Sequence, residues 1–584
     1  MTRRQWMQAC GPLLLPPGLS AQGSASRGVR AQPRGRPSGL PFQARFTDVA
    51  AAAGLVHPVI NGLPEAADYI LETVGPGVAF FDYDNDGWLD IFVLNGSRAG
   101  GAPAGTTNRL YKNNRDGTFA DVTEAAGLVS SGWAQGVTIG DYNNDGFEDI
   151  FVTRWGQNTL YRNNGDGTFT DVTARAGLLQ EGVHWGSGCT FIDFDRDGHL
   201  DLFVANYLEF DFQTIPKPGS KDSCLWKGSP VLCGPRGLTP SRQYLYRNRG
   251  DGTFEDVSVK SGIARAKGSY AMTAVAADLD NDGWPDLWVA CDSTPSYFFR
   301  NNRDGTFREE GLGRGLALSE DGMAQAGMGI AVGDFNLDGS LDLFKTHFAD
   351  DMHGLYRNDG RGNFEEVTLQ AGLGVETRYV GWGAGMVDLD NDGWPDLFMV
   401  TGSPFPGIER RVPTHSHRSP RLLFRNLGGG KFEELLDAAG PGLNSPHSSR
   451  GCAFGDFDND GDLDIVIINL NEPPSLLRND VDGSRHWLKV KLRGVKSNRS
   501  AIGARATLAY GGRTQAQEVC AQSSFYSVND SRLHFGLGAE TKAELTIRWP
   551  SGLTEKIGAV KVDRLLLIEE GRGIVKEDVF PARR

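Results

Sequence analysis

One nonapeptide recurs seven times along the chain, and it leaves few folds open. Its first copy reads Asp82-Tyr83-Asp84-Asn85-Asp86-Gly87-Trp88-Leu89-Asp90. The others begin at Asp141, Asp193, Asp278, Asp334, Asp388 and Asp456, at intervals of 59, 52, 85, 56, 54 and 68 residues. Every copy has Asp at positions 1, 5 and 9 and Gly at position 6. A fixed motif at such intervals marks an array in which each repeat is one supersecondary unit.

The spacing has a chemical meaning. Ca²⁺ is a hard cation that takes six to eight oxygens, and alternate carboxylates in a tight loop converge on one point. Gly at position 6 permits the sharp turn. The candidate ligands are Asp82, Asp84, Asp86 and Asp90 in the first loop, and Asp141, Asn143, Asp145 and Asp149 in the second. The third offers Asp193, Asp195, Asp197 and Asp201, and the fourth Asp278, Asp280, Asp282 and Asp286. The fifth has Asp334, Asn336, Asp338 and Asp342, the sixth Asp388, Asp390, Asp392 and Asp396, and the seventh Asp456, Asp458, Asp460 and Asp464. The backbone carbonyl of position 7 adds an oxygen. An EF-hand would need Glu at position 12, where the first loop has Val93. Mg²⁺ fits less well, because it prefers fewer carboxylates and keeps several waters. The formal net charge of −14 would be cancelled by seven Ca²⁺. Without a cation the carboxylates of each loop repel one another.

The flanks of each loop supply strands. Gly77–Phe81 precedes the first loop and Ile91–Leu94 follows it, so the acidic loop closes a β-hairpin. A second hairpin follows, with Arg109–Asn113, an Asp116-Gly117 turn and Phe119–Val122. It recurs at Leu160–Asn163 with Phe169–Val172, and at Leu245–Asn248 with Phe254–Val257. Four strands per repeat predict the blade of an all-β, seven-bladed β-propeller over residues 42–480. Only six fourth strands follow the loops, and the missing one lies at the start: Phe46-Thr47-Asp48-Val49 carries the same signature. It is placed to complete the last blade and close the ring, which removes exposed sheet edges. Gly stands five residues before the loop in six repeats (Gly77, Gly136, Gly188, Gly329, Gly383 and Gly451), which lets inner strands crowd the channel.

These motifs resemble the FG-GAP/VCBS repeat family, and the resemblance implies calcium in the loops. The tail carries a second resemblance. His486–Leu492, Ser497–Arg505, Leu533–Gly538 and Ile547–Gly552 look like the ASPIC/UnbV domain found after such propellers in the cartilage acidic protein family. Read from the residues, 485–575 gives short alternating strands with Gly turns, a small β-sandwich. The stretch Val519–Val528 departs from the commoner Gly-Ser-Ser pattern of that domain.

The acidity argues against a nucleic-acid partner, and no apolar run of 18 residues suggests a transmembrane anchor. Residues 1–41 read as an export signal and linker: Arg3-Arg4 precedes a short apolar stretch, and 22–41 are rich in Arg, Gly, Ser and Pro. A periplasmic or extracellular destination follows, and there Cys224 and Cys233, close together in one long insertion, pair as a disulfide. Cys189, Cys291 and Cys452 read as buried thiols.

Propeller topology puts the acidic loops on one face and the long insertions, 208–242 and 403–420, on the other, where binding loops gather on a rigid scaffold. Five residues after each ninth-position Asp stand Asn95, Arg154, Asn206, Cys291, His347, Thr401 and Asn469, and Trp133, Trp185, Tyr270 and Trp382 precede inner strands. Arg154, Trp185, Asn206, Asp292, His347 and Trp382 are the candidate ligand residues on that face, for a glycan, protein or small molecule. The alternative is that the aromatics seal neighbouring blades and the polar ends meet solvent. A binding scaffold is the favoured reading. A polysaccharide lyase or hydrolase, with His184, His347 or Asp292 as acid or base, is the rival, although no Gly-x-Ser-x-Gly elbow or His-Glu-x-x-His motif is present.

Overall fold

The computed structural model describes residues 26–580 apart from Asp222, Ala438 and Ser484; the expected export signal lies outside the described residues. Among the described residues, the first 480 form five four-stranded antiparallel sheets, an eight-stranded sheet and a two-stranded ribbon, Cys224–Trp226 with Ser229–Val231. In the eight-stranded sheet two further four-stranded units join, where His184 and Trp185 pair with Gly156 and Trp155. The first unit runs Val78–Phe81, Asp90–Val93, Arg109–Asn113 and Phe119–Asp121, and each acidic loop joins the first two strands of its unit. The last unit takes its fourth strand from the beginning of the chain: Phe46–Asp48 pairs with Ser475–Asn479, with Phe46 opposite Asn479. The innermost strands touch in sequence order, and that of the last unit, Ser449–Gly455, touches that of the first. The units therefore close into a propeller-type ring.

Two residues shape each acidic loop. Gly at position 6 has φ of 88° at Gly87 and 99° at Gly146, left-handed backbone that glycine adopts without strain. Position 4 is also left-handed in every loop, and it is Asn in five of them, for example Asn85 with φ 58°. The inner glycines are equally constrained. A Cβ on Gly77 would stand 1.9 Å from the Tyr526 carbonyl oxygen, and one on Gly329 would stand 1.9 Å from that of Trp382.

The tail forms two four-stranded sheets. One orders Leu533–Gly538, His486–Arg493, Leu565–Glu569 and Gly573–Asp578, with a parallel pairing of Lys489 and Leu565. The other orders Arg513–Glu518, Arg505–Tyr510, Lys542–Arg548 and Thr554–Lys561. Leu488, Val490, Leu508, Ile547 and Ile568 fill the space between them. That apolar cluster continues into the ring through Phe151, Phe191 and Leu202, so the tail does not hang from a linker.

The segment between Arg513–Glu518 and Leu533–Gly538 enters the central channel. The Ser524 and Ile330 main chains exchange two hydrogen bonds of 2.6 Å, and those of Val528 and Val78 to Phe80 pair at 2.9 and 3.0 Å. The Val137 N–H donates to the Tyr526 carbonyl (3.1 Å). Cys189 N–H donates to the Gln522 side chain, Ala384 N–H to Ser524 Oγ, and Phe454 N–H to Asn529 Oδ1. Asp278 N–H donates to Glu518 Oε1. Six units of the ring thus bond this plug, and the fourth bonds the end of the strand that leads into it. Several inner strands are bulged here, between Ala134 and Val137, Gly186 and Cys189, and Gly381 and Ala384. Bulges leave main-chain groups without a ladder partner, and the Gln, Ser and Asn side chains of the plug answer them.

The composition of residues 26–41 reads as a linker, but ion pairs hold this segment to the ring. Arg27 forks onto Asp351 (2.7 Å), and Arg34 reaches Glu376 (3.2 Å) and Glu434 (2.6 Å). Arg425 Nη1 donates to the Leu40 carbonyl.

Candidate metal centres and the opposite face

Each acidic loop is folded by its own carboxylates. In the first, the Asp86 and Gly87 N–H groups each donate to Asp82 at 2.9 Å, and the Trp88 N–H donates to Asp86. The ninth-position Asp is buried and fixes two strands: Asp90 accepts from Tyr83 N–H (3.2 Å) and Asn113 N–H (2.8 Å). The loop so folded brings the carboxylates of positions 1, 3 and 5 close to one another.

Carboxylates converge within 4.8 Å in five loops: Asp82 with Asp84 and Asp86, Asp193 with Asp195 and Asp197, Asp278 with Asp280 and Asp282, Asp388 with Asp390 and Asp396, and Asp456 with Asp458 and Asp460. In the other two, Asn143 and Asn336 donate to the neighbouring Asp145 (2.9 Å) and Asp338 (2.8 Å).

The donor set suits a hard cation. Six buried carboxylate oxygens have no hydrogen-bond donor: Oδ1 of Asp84, Asp193, Asp195 and Asp390, and Oδ2 of Asp286 and Asp342. Burial, with the repulsion of neighbouring carboxylates, pushes Asp90 up to about 8 and Asp193 to about 7. Burial also lifts Asp334 to about 7, and Asp82 and Asp141 to about 6. A bound cation would remove that strain. Outer basic residues relieve part of it: Lys112 pairs with Asp84, Arg247 with Asp195 (2.6 Å) and Arg300 with Asp280 (2.7 Å).

The tail sits on this same face. Lys489 pairs with Asp456 with both side chains fully buried, Arg548 pairs with Asp278, and Arg485 with Asp390 (2.5 Å). Ala516 N–H donates to Asp334 (3.0 Å), and Asp141 N–H to Ser500 Oγ (2.9 Å). Asp456 differs from Asp82, Asp141, Asp193 and Asp334. Burial favours its neutral form, but Lys489 and Arg532 outweigh burial and hold it below the usual range.

Two sets of asparagines link the units, and neither was assigned a role from the sequence. The last Asn of each third strand is buried in all seven units (Asn113, Asn163, Asn248, Asn301, Asn358, Asn426 and Asn479). Its side-chain amide donates to a loop carbonyl of the neighbouring unit, as Asn163 does to Tyr83 (2.8 Å) and Asn248 to Tyr142 (2.8 Å). The position-4 Asn couples loop to loop: Asn85 donates to the Gly146 carbonyl, Asn144 to Gly198, Asn391 to Gly461 and Asn459 to Gly87. The recurrence of Asn at both positions was the available signal.

The structure places five of the six candidate ligand residues of the opposite face beneath the surface and leaves Asp292 half-buried. Arg154 is 7 % exposed, its guanidinium donating to Ser130 and Ser131. Trp185 is 1 % exposed and packs edge-on against Tyr207 and Phe210. Asn206 is buried and donates to the Arg242 carbonyl (2.9 Å). His347 is buried beside the Ala326 carbonyl, and burial with nearby Lys345 pushes its imidazole well below the usual range. Trp382 Nε1 donates to the Gly402 carbonyl (2.8 Å). Asp292 accepts from Tyr207 (2.5 Å) and Ser293 (2.7 Å), and burial raises its carboxyl. The reason is coverage: the two long insertions and residues 69–74 fold over the channel mouth. Of the six, only Asp292 and Trp382 border the cavity beneath, about 60 Å³ in volume.

The longer insertion carries the Cys224–Cys233 disulfide. Beside it Trp226 packs on Phe405 (5.5 Å) and His415 (4.9 Å) of the other insertion. Cys189, Cys291 and Cys452 are free and buried.

Ring, acidic loops and capping sandwich together define the class. An FG-GAP-like repeat model matches residues 82–152, 141–204, 231–289, 278–344 and 416–467, and an ASPIC and UnbV model matches 494–575. The protein is therefore an FG-GAP-repeat propeller-type protein with a C-terminal ASPIC/UnbV domain. It is homologous to cartilage acidic protein 1. Identity to the human protein is 24% over 489 residues, covering 82% of this chain and 60% of that protein; for the mouse protein it is 24% over 491 residues, covering 82% and 61%. The chain thus spans about 60% of the length of these curated relatives. Chicken integrin alpha-6 is 28% identical over 161 residues, covering 25% of this chain and 15% of that protein.

Proposed function

We propose that the protein is an exported, calcium-loaded, seven-bladed scaffold that binds a glycan, protein or small ligand on the face opposite its acidic loops. The observation that carries the reading is the position of the tail. It covers the loop face and plugs the channel from that side, so the loops serve as internal ties. Calcium in them would rigidify each hairpin, held by the carboxylates of positions 1, 3, 5 and 9. Recognition then falls to the other rim, built by insertions 208–242 and 403–420. The disulfide in the first insertion supports export, because such bonds persist in oxidising compartments. No helix among the described residues is long and apolar enough to cross a membrane.

The test is an array of glycans and extracellular proteins, probed with the calcium-loaded full chain and with a variant whose residues 210–238 are replaced by a short Gly-Ser link. The stems of this insertion are already joined, Glu209 N–H donating to the Thr239 carbonyl, so trimming leaves the unit closed. Partners retained by the full chain and lost by the variant support the reading. Partners bound equally by both, or turnover of an arrayed polysaccharide, contradict it.

A further inference from the structure

The first acidic loop differs from the other six in what covers it. Six first-position carboxylates are at most 4 % exposed (Asp141, Asp193, Asp278, Asp334, Asp388 and Asp456), whereas Asp82 is only half-buried. Each of those six loops is also tied to the tail. The Arg499 N–H donates to Asn144 (2.8 Å) in the second, Arg196 donates to the Pro550 carbonyl in the third, and the Gly538 N–H donates to the Asn391 carbonyl (2.9 Å) in the sixth. The fourth, fifth and seventh are held through Asp278, Asp334 and Asp456 by Arg548, the Ala516 N–H and Lys489. Among the described residues, no hydrogen bond or ion pair joins loop residues 82–90 to the tail. The partners of this loop are Lys112, Asn113, Arg115, Gly146, Asn163 and Asn459, all on the ring.

The reason is a cleft. The tail stands off the first two loops and leaves a space of about 420 Å³. Asp82, Asn85, Asp86 and Gly87 line it from the ring, and Lys491 and Leu567 line it from the tail. Lys491 does not bridge the space to Asp82: its ammonium bonds Ser531 Oγ (2.6 Å) and pairs with Glu148 of the second loop (3.5 Å). At roughly 10–15 Å³ per water by the same measure, the cleft has room for a hydrated cation to reach the loop with its shell of six to eight oxygens. An ion leaves such a loop when its ligands swing apart and water replaces them, so its rate follows the cost of opening the loop locally. In six loops that opening breaks a bond to the tail, and in the first it breaks none. The position-5 residues Asp145, Asp197 and Asp338 are exposed, but the first-position residues of their loops stay buried.

We propose that the first loop is the protein's one readily exchanging calcium site, filled and emptied through this cleft, while the tail holds the ions of the other six. Occupancy of Asp82, Asp84, Asp86 and Asp90 then follows the calcium outside the chain without unfolding the ring. The inference rests on the calcium reading of the loops and divides them into two kinds.

Trp88, Trp284 and Trp394 stand at position 7 of the first, fourth and sixth loops, so removing each shows which loop a luminescence phase belongs to. The calcium-loaded full chain is mixed rapidly with Tb³⁺ under tryptophan excitation, as wild type and as Trp88→Phe, Trp284→Phe and Trp394→Phe. Each variant is first shown to keep the wild-type circular dichroism. A parallel mixing with chelator and a calcium dye counts the ions released in each phase. The expected result is one fast ion per chain, roughly tenfold or more ahead of the rest. The fast luminescence phase should be lost in Trp88→Phe and kept in the other two variants. A single phase for all ions, more than one fast ion, or a fast phase that survives Trp88→Phe overturns the proposal and leaves calcium in the loops. A chain that takes up no calcium overturns this proposal and the calcium reading together.

Discussion

Adjacent asparagines in one motif should behave in opposite ways. Asn163 is 1 % exposed; its amide donates to the carbonyls of Tyr83 (2.8 Å) and Glu148 (3.2 Å), and its oxygen accepts from Gly165 N–H (3.0 Å). Asn164 is exposed and bonds only Thr168, Thr170 and Arg162 at the surface. Asn163→Ala removes three bonds and strands the buried Tyr83 carbonyl of the preceding unit and the half-buried Glu148 carbonyl. At about 1 kcal/mol per bond, and somewhat more for each orphaned group, the loss is about 3–4 kcal/mol. Asn164→Ala should cost less than about 0.5 kcal/mol, as surface changes do. For a cooperative unit of this size, with an unfolding entropy of about 2.1 cal/mol/K per residue, this separates the two melting temperatures by roughly 2–3 °C, which scanning calorimetry of the calcium-loaded chain resolves. Equal shifts for the two variants, or a larger one for Asn164→Ala, would refute the claim that third-strand asparagines tie neighbouring units together.

Three further outcomes follow from the loops and the plug. Trp88, Trp284 and Trp394 occupy position 7, whose carbonyl would face the ion, so Tb³⁺ replacing Ca²⁺ should luminesce on tryptophan excitation and lose most of that signal in the triple Phe variant. In the chelated protein two carboxylates of the first loop titrate above their unfolded values because of burial, Asp82 at about 6 and Asp90 at about 8. The native state then holds more protons than the unfolded state, so stability falls as pH rises from about 4 to 8, by about 1.4 kcal/mol per pH unit per affected group; the chelated chain should melt higher at pH 5.5 than at pH 8, and calcium should abolish that order. Phe525 and Tyr526 are fully buried in the channel and stacked at 4.0 Å. Truncating Phe525 to Ala should cost about 3–5 kcal/mol and lower one shared unfolding transition, where an independently folding tail would give two.

Local patterns carried most of the fold. The Asp and Gly spacing, the paired hairpins and the orphan strand at Phe46 were all legible, because each is encoded within a few consecutive residues. The docking of the tail was not. Gln522, Ser524 and Asn529 serve main-chain groups 333, 140 and 75 residues away, and no periodicity announces such pairing. The polar strand ends misled for the same reason: Arg154, Asn206 and His347 look free in sequence, yet each bonds a main-chain carbonyl of a connecting segment, at Ser131, Arg242 and Ala326. Arginine-rich residues 26–41 have linker composition, but their charges match Asp351, Glu376 and Glu434 on the ring.

The most direct test counts calcium in the purified chain and follows its melting before and after chelation, with Mg²⁺ as the comparison. The account predicts several Ca²⁺ per chain, approaching one per acidic loop. It also predicts a large fall in melting temperature on chelation, restored by Ca²⁺ and poorly by Mg²⁺. A chain with little calcium and an unchanged melt would show that the loops hold their shape without the ion. The calcium-tied scaffold would then be wrong.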